Sequence, residues 1–467
     1  MKKQVIIIFY LLFSVMCLAQ NNINPNLFGF RMSTSFVFFD VEDSAFTKRV
    51  VDLNPQVLSF PGGFGNFYHL NGPAYGVDLQ EVYKYNKVKA EIGKSLNWIG
   101  RKKGHVDNYI YDFISLAKQT QAKVIFTVNI LNEPIKDYLK VLEIFENNNI
   151  EVIAVELGGE LYTREYKHII DGELYIKLAR DCAINIRKYY PGILIGVVAA
   201  PVNTLRRHNL WNQKLALEVF YDAIIVHSYA KVLKGEAVDG RMVTEKKEAE
   251  DMKTSFQIYK NRAINYLEND YPNKILEYSA AFDDKPIWIT EWNLQMSKTT
   301  GNTMLQTLFV SSFLLEVSTN LKLKNIELST FHNMAGRTLS GSMLLRKNND
   351  MHVLSTYRPM QMLANIFLDQ NYKGKKINIS DECIKYVFTQ DISDKKIVCW
   401  VNWSQENLLD SQMLNGRYIK KEYCAKDLFS TSFDKDGLKY FMTDHTANNE
   451  RINIMPYSFT MIMFNEE

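Results

Sequence analysis

The chain has 467 residues, 46% hydrophobic and 23% charged, which is enough apolar material for a large core and a length that suggests two or three domains. Its formal charge is +3, but the 55 basic residues include Lys2 and Lys3 of an N-terminal leader, so the remainder nearly balances the 52 acidic ones. With no long basic run, nucleic-acid binding is excluded as a function class, and no segment beyond the leader has the apolar length of a membrane span.

Met1 to Ala19 carries Lys2 and Lys3, then an apolar run from Val5 to Leu18, then Ala19-Gln20. This is the pattern of a secretory signal peptide cleaved after Ala19, so residues 1–19 are expected to be removed and the protein to be secreted or periplasmic. Cys17 raises a lipid anchor as the less favoured alternative, because Ser14 and Met16 fit a lipidation box poorly.

From about residue 28, short apolar strands alternate with helical patterns. Strands are expected at Phe28–Ser33, Gln56–Phe60, Lys123–Asn129, Glu151–Leu157, Ile193–Ala199, Ala223–His227, Pro286–Glu291 and Asn325–Phe331. Most are continuous Val/Ile/Leu/Phe runs, as parallel strands covered on both faces require. Helical spacing of apolar residues predicts helices over Tyr109–Thr120, Ile135–Glu146, Glu173–Tyr189, Thr303–Val317 and Ser355–Leu368. The Thr303–Val317 segment is apolar on nearly every side and should be buried. The alternation predicts a (β/α)₈ barrel over residues 20–368, with a doubly wound sheet as the alternative. Residues 369–467 lose the helical pattern. Runs at Tyr386–Gln390, Ile397–Asn402, Leu438–Met442 and Tyr457–Phe464, separated by turn residues, predict a C-terminal antiparallel β-sandwich.

Two long insertions follow strands 2 and 6. Pro61 to His105 holds Phe64, Phe67, Tyr68, Tyr75, Tyr83, Tyr85 and Trp98, and Ala230 to Ser255 is charged with helical tendency. Both sit at carboxyl ends of strands, the face on which such barrels place their active sites. Packing of the loop onto the barrel accounts for the aromatics as readily as ligand binding does. Cys182, Cys383, Cys399 and Cys424 remain beyond the leader. Their spacing leaves a disulfide among the last three open and shows no Cys-x-x-Cys or Cys/His zinc set. No metal or cofactor motif is present.

Glu160 lies just beyond strand 4, and Glu291 ends strand 7 in Thr290-Glu291-Trp292-Asn293. Both should point into the barrel mouth. Two carboxylates across a cleft can split a glycosidic bond: one protonates the leaving oxygen, and the other attacks the anomeric carbon or activates water. Glu156, lower in the same strand, reads as a buried partner for a cation or hydroxyl. Asn132-Glu133-Pro134 reads as a helix start, with Asn132 as the cap and Pro134 in the first turn. Other polar groups at strand ends are Arg31, Asn129, His227, Tyr229, Trp292, Asn293, His332 and Asn333. Trp292 is a candidate sugar platform. Arg31 is a candidate for a substrate carboxylate or sulfate, or for an ion pair with Glu156.

The ordered set of glycine-x-glutamate after strand 4, His-x-Tyr after strand 6 and Thr-Glu-Trp at strand 7 resembles the retaining glycoside hydrolases of clan A. It is most similar to the arabinofuranosidase, β-xylosidase and heparanase/β-glucuronidase families. Val155-Glu156-Leu157-Gly158-Gly159-Glu160 is similar to their Glu-(Ile/Leu)-Gly-Asn-Glu, and Leu58-Ser59-Phe60-Pro61-Gly62-Gly63 to their Leu-Arg-Phe-Pro-Gly-Gly. The resemblance implies a barrel with a C-terminal β-sandwich, Glu160 as acid/base, Glu291 as nucleophile supported by Tyr229, and a carbohydrate substrate. Arg31, Asn129, His227, Trp292, Asn293 and His332 are then the expected substrate-binding residues. Two departures stand out: Gly159 replaces the asparagine before the acid/base, and Ser59 replaces the strand 2 arginine. The rival functions are a non-catalytic carbohydrate-binding protein and a polysaccharide lyase using Tyr229 or His227. The sugar, the linkage, exo or endo action and the oligomeric state stay open in the sequence.

Overall fold

The computed structural model describes residues 22–32, 35–85, 91, 94, 108–233 and 248–464. The leader, Ser33, Trp98 and the middle of the strand 6 insertion lie outside these residues. Eight parallel strands close into a barrel in sequence order: β1 (Gly29–Arg31), β2 (Val57–Phe60), β3 (Lys123–Val128), β4 (Val152–Leu157), β5 (Leu194–Val198), β6 (Ala223–Ala230), β7 (Ile287–Leu294) and β8 (Ile326–His332). The last strand pairs with the first, Arg31 opposite His332. All eight expected strands form, and closure rules out the doubly wound alternative. β6 and β7 run three residues beyond the ends expected for them, because His227–Ala230 keeps pairing with Glu291–Leu294.

The barrel floor is sealed by size matching. Trp288 is 1% exposed and lies across β5, where an added Cβ on Gly196 would sit 2.5 Å from its ring. Only glycine at 196 lets the indole close the floor.

The five expected helices form with ends shifted by a residue or two: Ile110–Thr120, Ile135–Asn147, Gly172–Tyr189, Met304–Thr319 and Tyr357–Phe367. Further helices among the described residues carried too mixed or too short a pattern to be legible, among them Ser44–Asp52, Leu79–Tyr85, Arg206–Ala216, and Met252–Asn265 continued through a π-turn at Tyr266–Asp270 into Tyr271–Ala281. The Met304–Thr319 helix is buried from Met304 to Val317. One side faces the barrel and the other the C-terminal sheet.

A small sheet of β9 (Ala335–Gly336), β10 (Leu344–Lys347) and β11 (Asp350–Val353) caps the β8 end of the barrel. The C-terminal unit is a six-stranded antiparallel sheet: β12 (Tyr372–Ser380), β13 (Cys383–Gln390), β14 (Lys396–Asn402), β15 (Leu408–Ala425), β16 (Leu438–Ile454) and β17 (Ser458–Phe464), in the order 12-13-14-17-15-16. β12 and β15 escaped the sequence reading because their burial alternates with many charged positions. The long β15–β16 pair shifts register between Leu409 and Met413. It curls back so that Asp410 reaches across to Lys385 of β13 (2.7 Å) and the Trp400 indole of β14 (2.8 Å). The curled sheet encloses its own apolar cluster around Val398, Trp400, Leu414, Ile452 and Ile462, which gives the sandwich character expected. Cys182, Cys383, Cys399 and Cys424 are buried free thiols, so no disulfide joins the last three.

Candidate active site

β4 delivers Glu160 through a sharp turn. Gly158 has φ +80°, where an added Cβ would meet Leu161 at 2.6 Å, and Glu160 itself has φ +48°, a conformation uncommon for glutamate. This lifts the Glu160 carboxylate to the mouth, where its side chain is 45% exposed. His227 Nδ1 donates to Glu160 Oε1 at 2.8 Å and lies 3.6 Å from Glu291 Oε2.

Glu291 projects from β7 beside His227, its register partner on β6. The Tyr229 hydroxyl donates to Glu291 Oε2 at 2.6 Å. Arg31 Nε lies 2.8 Å from Glu291 Oε1, as an ion pair whose N–H is not aligned on the oxygen. The other end of the same guanidinium meets Glu156 Oε2 at 3.3 Å, and Thr127 Oγ1 donates to that oxygen at 2.6 Å. Arg31 is in register with Ser59. A guanidinium thus enters the site from β1, beside the strand whose position 59 carries a serine.

Oxygens of Glu160 and Glu291 and a ring nitrogen of His227 all lie within 4.8 Å of one another. The two carboxylates therefore face one another across a single small site at the barrel mouth. The same three groups could ligate a divalent cation, but Arg31 already places a positive charge on Glu291.

The two acids differ in setting. Burial alone would push the Glu291 carboxyl up, but the His227 and Arg31 charges and the Tyr229 hydrogen bond outweigh it and hold the group well below the usual carboxylate range. Burial pulls His227 down, and the Glu291 charge and the Glu160 hydrogen bond reverse this, leaving it raised. His332 is lowered by burial against the opposing pull of Glu291. Burial and the Glu291 charge lift Tyr229 well above its ordinary value, so it stays a donor. The site thus holds an ionised carboxylate low in the barrel and a reachable carboxyl at the rim.

Several expected substrate-binding residues are placed elsewhere. Trp292 is fully buried and stacks on Phe313 with ring centroids 4.3 Å apart. It alternates with Glu291 along β7 and so faces outward to the helices, which removes it as a sugar platform. Asn293 is 1% exposed and donates to the carbonyls of His332 (2.6 Å) and Ser340 (3.3 Å), holding the β8 loop instead of a ligand. Asn129 is fully buried. It donates to the Tyr68 carbonyl and accepts from the Leu131 and Asn132 amides, organising the β3 loop. Arg31 is 3% exposed and spent on Glu156 and Glu291, so it supports the Glu291 carboxylate and is closed off from the mouth. His227, Tyr229 and His332 remain at the mouth, the His332 ring edge-on to Tyr229 at 6.0 Å. Asn333 is 4% exposed beneath the β8 loop.

Asn132 is not the helix cap. The helix starts at Ile135 after Pro134, and the Asn132 amide donates to Glu81 Oε1 at 2.5 Å. Glu133 turns into the loop to accept the Leu70 amide at 3.1 Å. The aromatics of the strand 2 insertion pack largely on one another and on the barrel, with Phe64, Phe67, Tyr68 and Tyr75 buried. Sequence reasoning missed Asn66, Tyr162 and Tyr166 around Glu160, since no periodicity marks loop residues that meet only in space.

Neither the known protein-family models nor the curated protein sequences match this chain. Solved structures do. An arabinofuranosidase of glycoside hydrolase family 51 from Xanthomonas axonopodis pv. citri superposes with a TM-score of 0.68 at 11% identity, over 96% of this chain and 98% of its own. The α-L-arabinofuranosidase of Thermotoga maritima gives 0.65 at 10% identity, over 95% and 98%. A 4-O-α-L-rhamnosyl-β-D-glucuronidase from Fusarium oxysporum 12S gives 0.60 at 11% identity, over 95% and 97%. At these identities the likeness is one of fold: a clan A glycosidase-type barrel joined to a C-terminal β-sheet unit.

Proposed function

We propose that this chain is an exported retaining glycoside hydrolase acting on a plant, algal or host glycan. Glu291 attacks the anomeric carbon, and Glu160 protonates the departing oxygen. Water then enters on the face vacated by the leaving group, Glu160 takes its proton, and the sugar is released from Glu291 with its anomeric configuration retained. The observation that carries this reading is the carboxylate pair: oxygens within 4.8 Å, with Glu291 held ionised by Arg31 and Tyr229. Arabinofuranosidases and glucuronidases among the structural neighbours support a glycan substrate without naming the sugar.

One observation favours a second reading, a non-catalytic carbohydrate-binding protein: Glu160 already shares a hydrogen bond with His227. We favour hydrolysis because the Glu160 carboxyl stays half-exposed and within reach of a sugar bound over Glu291. Screening aryl glycosides against the wild type, Glu160→Ala and Glu291→Ala decides between them. The hydrolase reading expects a cleaved substrate and losses of at least ~100-fold in each variant. Azide should rescue Glu291→Gly with an inverted glycosyl azide, and Glu160→Ala with a retained one. A wild type that binds glycans but cleaves none supports the binding reading.

A further inference from the structure

Glu160 keeps a positive φ that a residue with a side chain rarely adopts, so the surroundings must impose it. The turn that carries it contains two glycines and has no side chain of its own at 159 to brace it. The brace comes from the loop after β2. Asn66 Oδ1 accepts the Gly159 N–H at 2.7 Å, and Asn66 Nδ2 donates to the Gly159 carbonyl at 2.6 Å. One side-chain amide thus grips both sides of the residue preceding Glu160. The Gly159 N–H needs an acceptor and the Gly159 carbonyl a donor, which fixes the amide's orientation, and the second N–H of Asn66 Nδ2 goes to the Tyr166 hydroxyl at 3.1 Å. Tyr166 is itself buried and packed on Tyr85, with ring centroids 5.5 Å apart. Among the described residues, only the amide atoms of Asn66 lie within 4 Å of an ideal Cβ on Gly159.

We infer that Asn66 is the positioning residue for the acid/base: by clamping the Gly159 peptide, it sets the direction in which Glu160 presents its carboxyl to the glycosidic oxygen and to His227. It stands in space where the resemblance places an asparagine side chain at 159, but it is delivered by the strand 2 loop. Both hydrogens of its Nδ2 are engaged, so Asn66 acts through the turn and does not donate to substrate. Tyr166 is the back-stop that keeps the amide in place.

The inference rests on the hydrolase reading for its catalytic consequence, and two measurements separate the two. A positioning role predicts a leaving-group signature. Asn66→Ala should lose about 100-fold in kcat/KM on aryl glycosides with poor leaving groups, which need a proton, and little in kcat/KM on dinitrophenyl glycosides, which do not. On the dinitrophenyl substrates kcat and KM should fall together, because the second step still needs Glu160 as base. Tyr166→Phe should show the same pattern at smaller size, and it carries the test if Asn66→Ala does not fold. Equal losses on both substrate types overturn the inference. The second measurement needs no substrate: the His227 ring is followed by NMR through its titration. Asn66→Ala should lower the His227 midpoint, because Glu160 swings off its 2.8 Å bond. An unchanged midpoint overturns the inference whether or not the wild type is a hydrolase, whereas a wild type that cleaves nothing counts against the hydrolase reading alone.

Discussion

Tyr229 and Glu291 show how a hydroxyl adds to the charges of His227 and Arg31 in keeping an acid ionised. The 2.6 Å bond favours the ionised carboxylate, as a donor to a charged acceptor does. Tyr229→Phe removes that donor, so Glu291 takes up a proton more readily and the acid limb of the kcat/KM profile should move to higher pH. A pH–rate series on a cleaved aryl glycoside reads this shift directly. Glu133 is the opposite case. Burial outweighs its bond from the Leu70 amide and pushes its carboxyl up to about 8. The unfolded chain ionises this group near pH ~4.3 while the folded one keeps its proton to about 8, so unfolding releases a proton across that window and stability falls as pH rises. Glu133→Gln keeps the acceptor for Leu70 and removes the ionisation. It should stabilise the protein at pH 8 by on the order of 3 kcal/mol relative to wild type, with no difference below pH ~4, measured by denaturant unfolding at both pH values. The Tyr229 bond to Glu291 was expected from the resemblance and is present; the Glu133 behaviour was not legible in the sequence. Asn-Glu-Pro reads as a helix start, and only the fold shows that Glu133 turns into the strand 2 loop.

At the scale of elements, the Met304–Thr319 helix is the joint of the molecule. Its all-round apolar surface announced burial, but the partner was not legible because the C-terminal strands that cover it arrive from over fifty residues away. The joint also holds a buried acid. Glu316 is 2% exposed and accepts from the Tyr386 hydroxyl at 2.6 Å and from Lys376 at 2.6 Å, both on the C-terminal sheet. Glu316→Ala leaves the tyrosine and lysine facing an apolar helix and should cost about 3–5 kcal/mol. Thermal unfolding should show a lowered midpoint, while Lys376→Ala, at a partly exposed partner, should cost less. β6 and β7 teach a related point. Their extra paired residues place Tyr229 and Asn293 on strands, and strand alternation then decides that Glu291 and Asn293 face inward while Trp292 faces the helices.

At the scale of the whole molecule, barrel and sheet act together. The N-terminal segment also reaches the sheet, with the Ile23 amide donating to the Tyr372 carbonyl at 2.8 Å. A chain ended at Leu368 would expose the apolar face of the Met304–Thr319 helix and lose the partners of Glu316. It should therefore fail to accumulate as a soluble folded barrel, judged by expression and far-UV circular dichroism against the full chain. A stable, cooperative barrel from that truncation would show that the sheet is an appendage.

The sequence by itself determined the barrel, the order of its strands and the place of the two glutamates at its mouth. These depend on local periodicity and on a rule of such barrels, that residues at carboxyl ends of strands share one face. It also marked position 159 as lacking a side chain. Tertiary structure alone decided what meets that lack: Asn66 reaches Gly159 from a loop 93 residues away in the chain. Pattern along a chain records which way a residue faces. It does not record which distant side chain fills the space opposite, because that is set by packing once the barrel has closed.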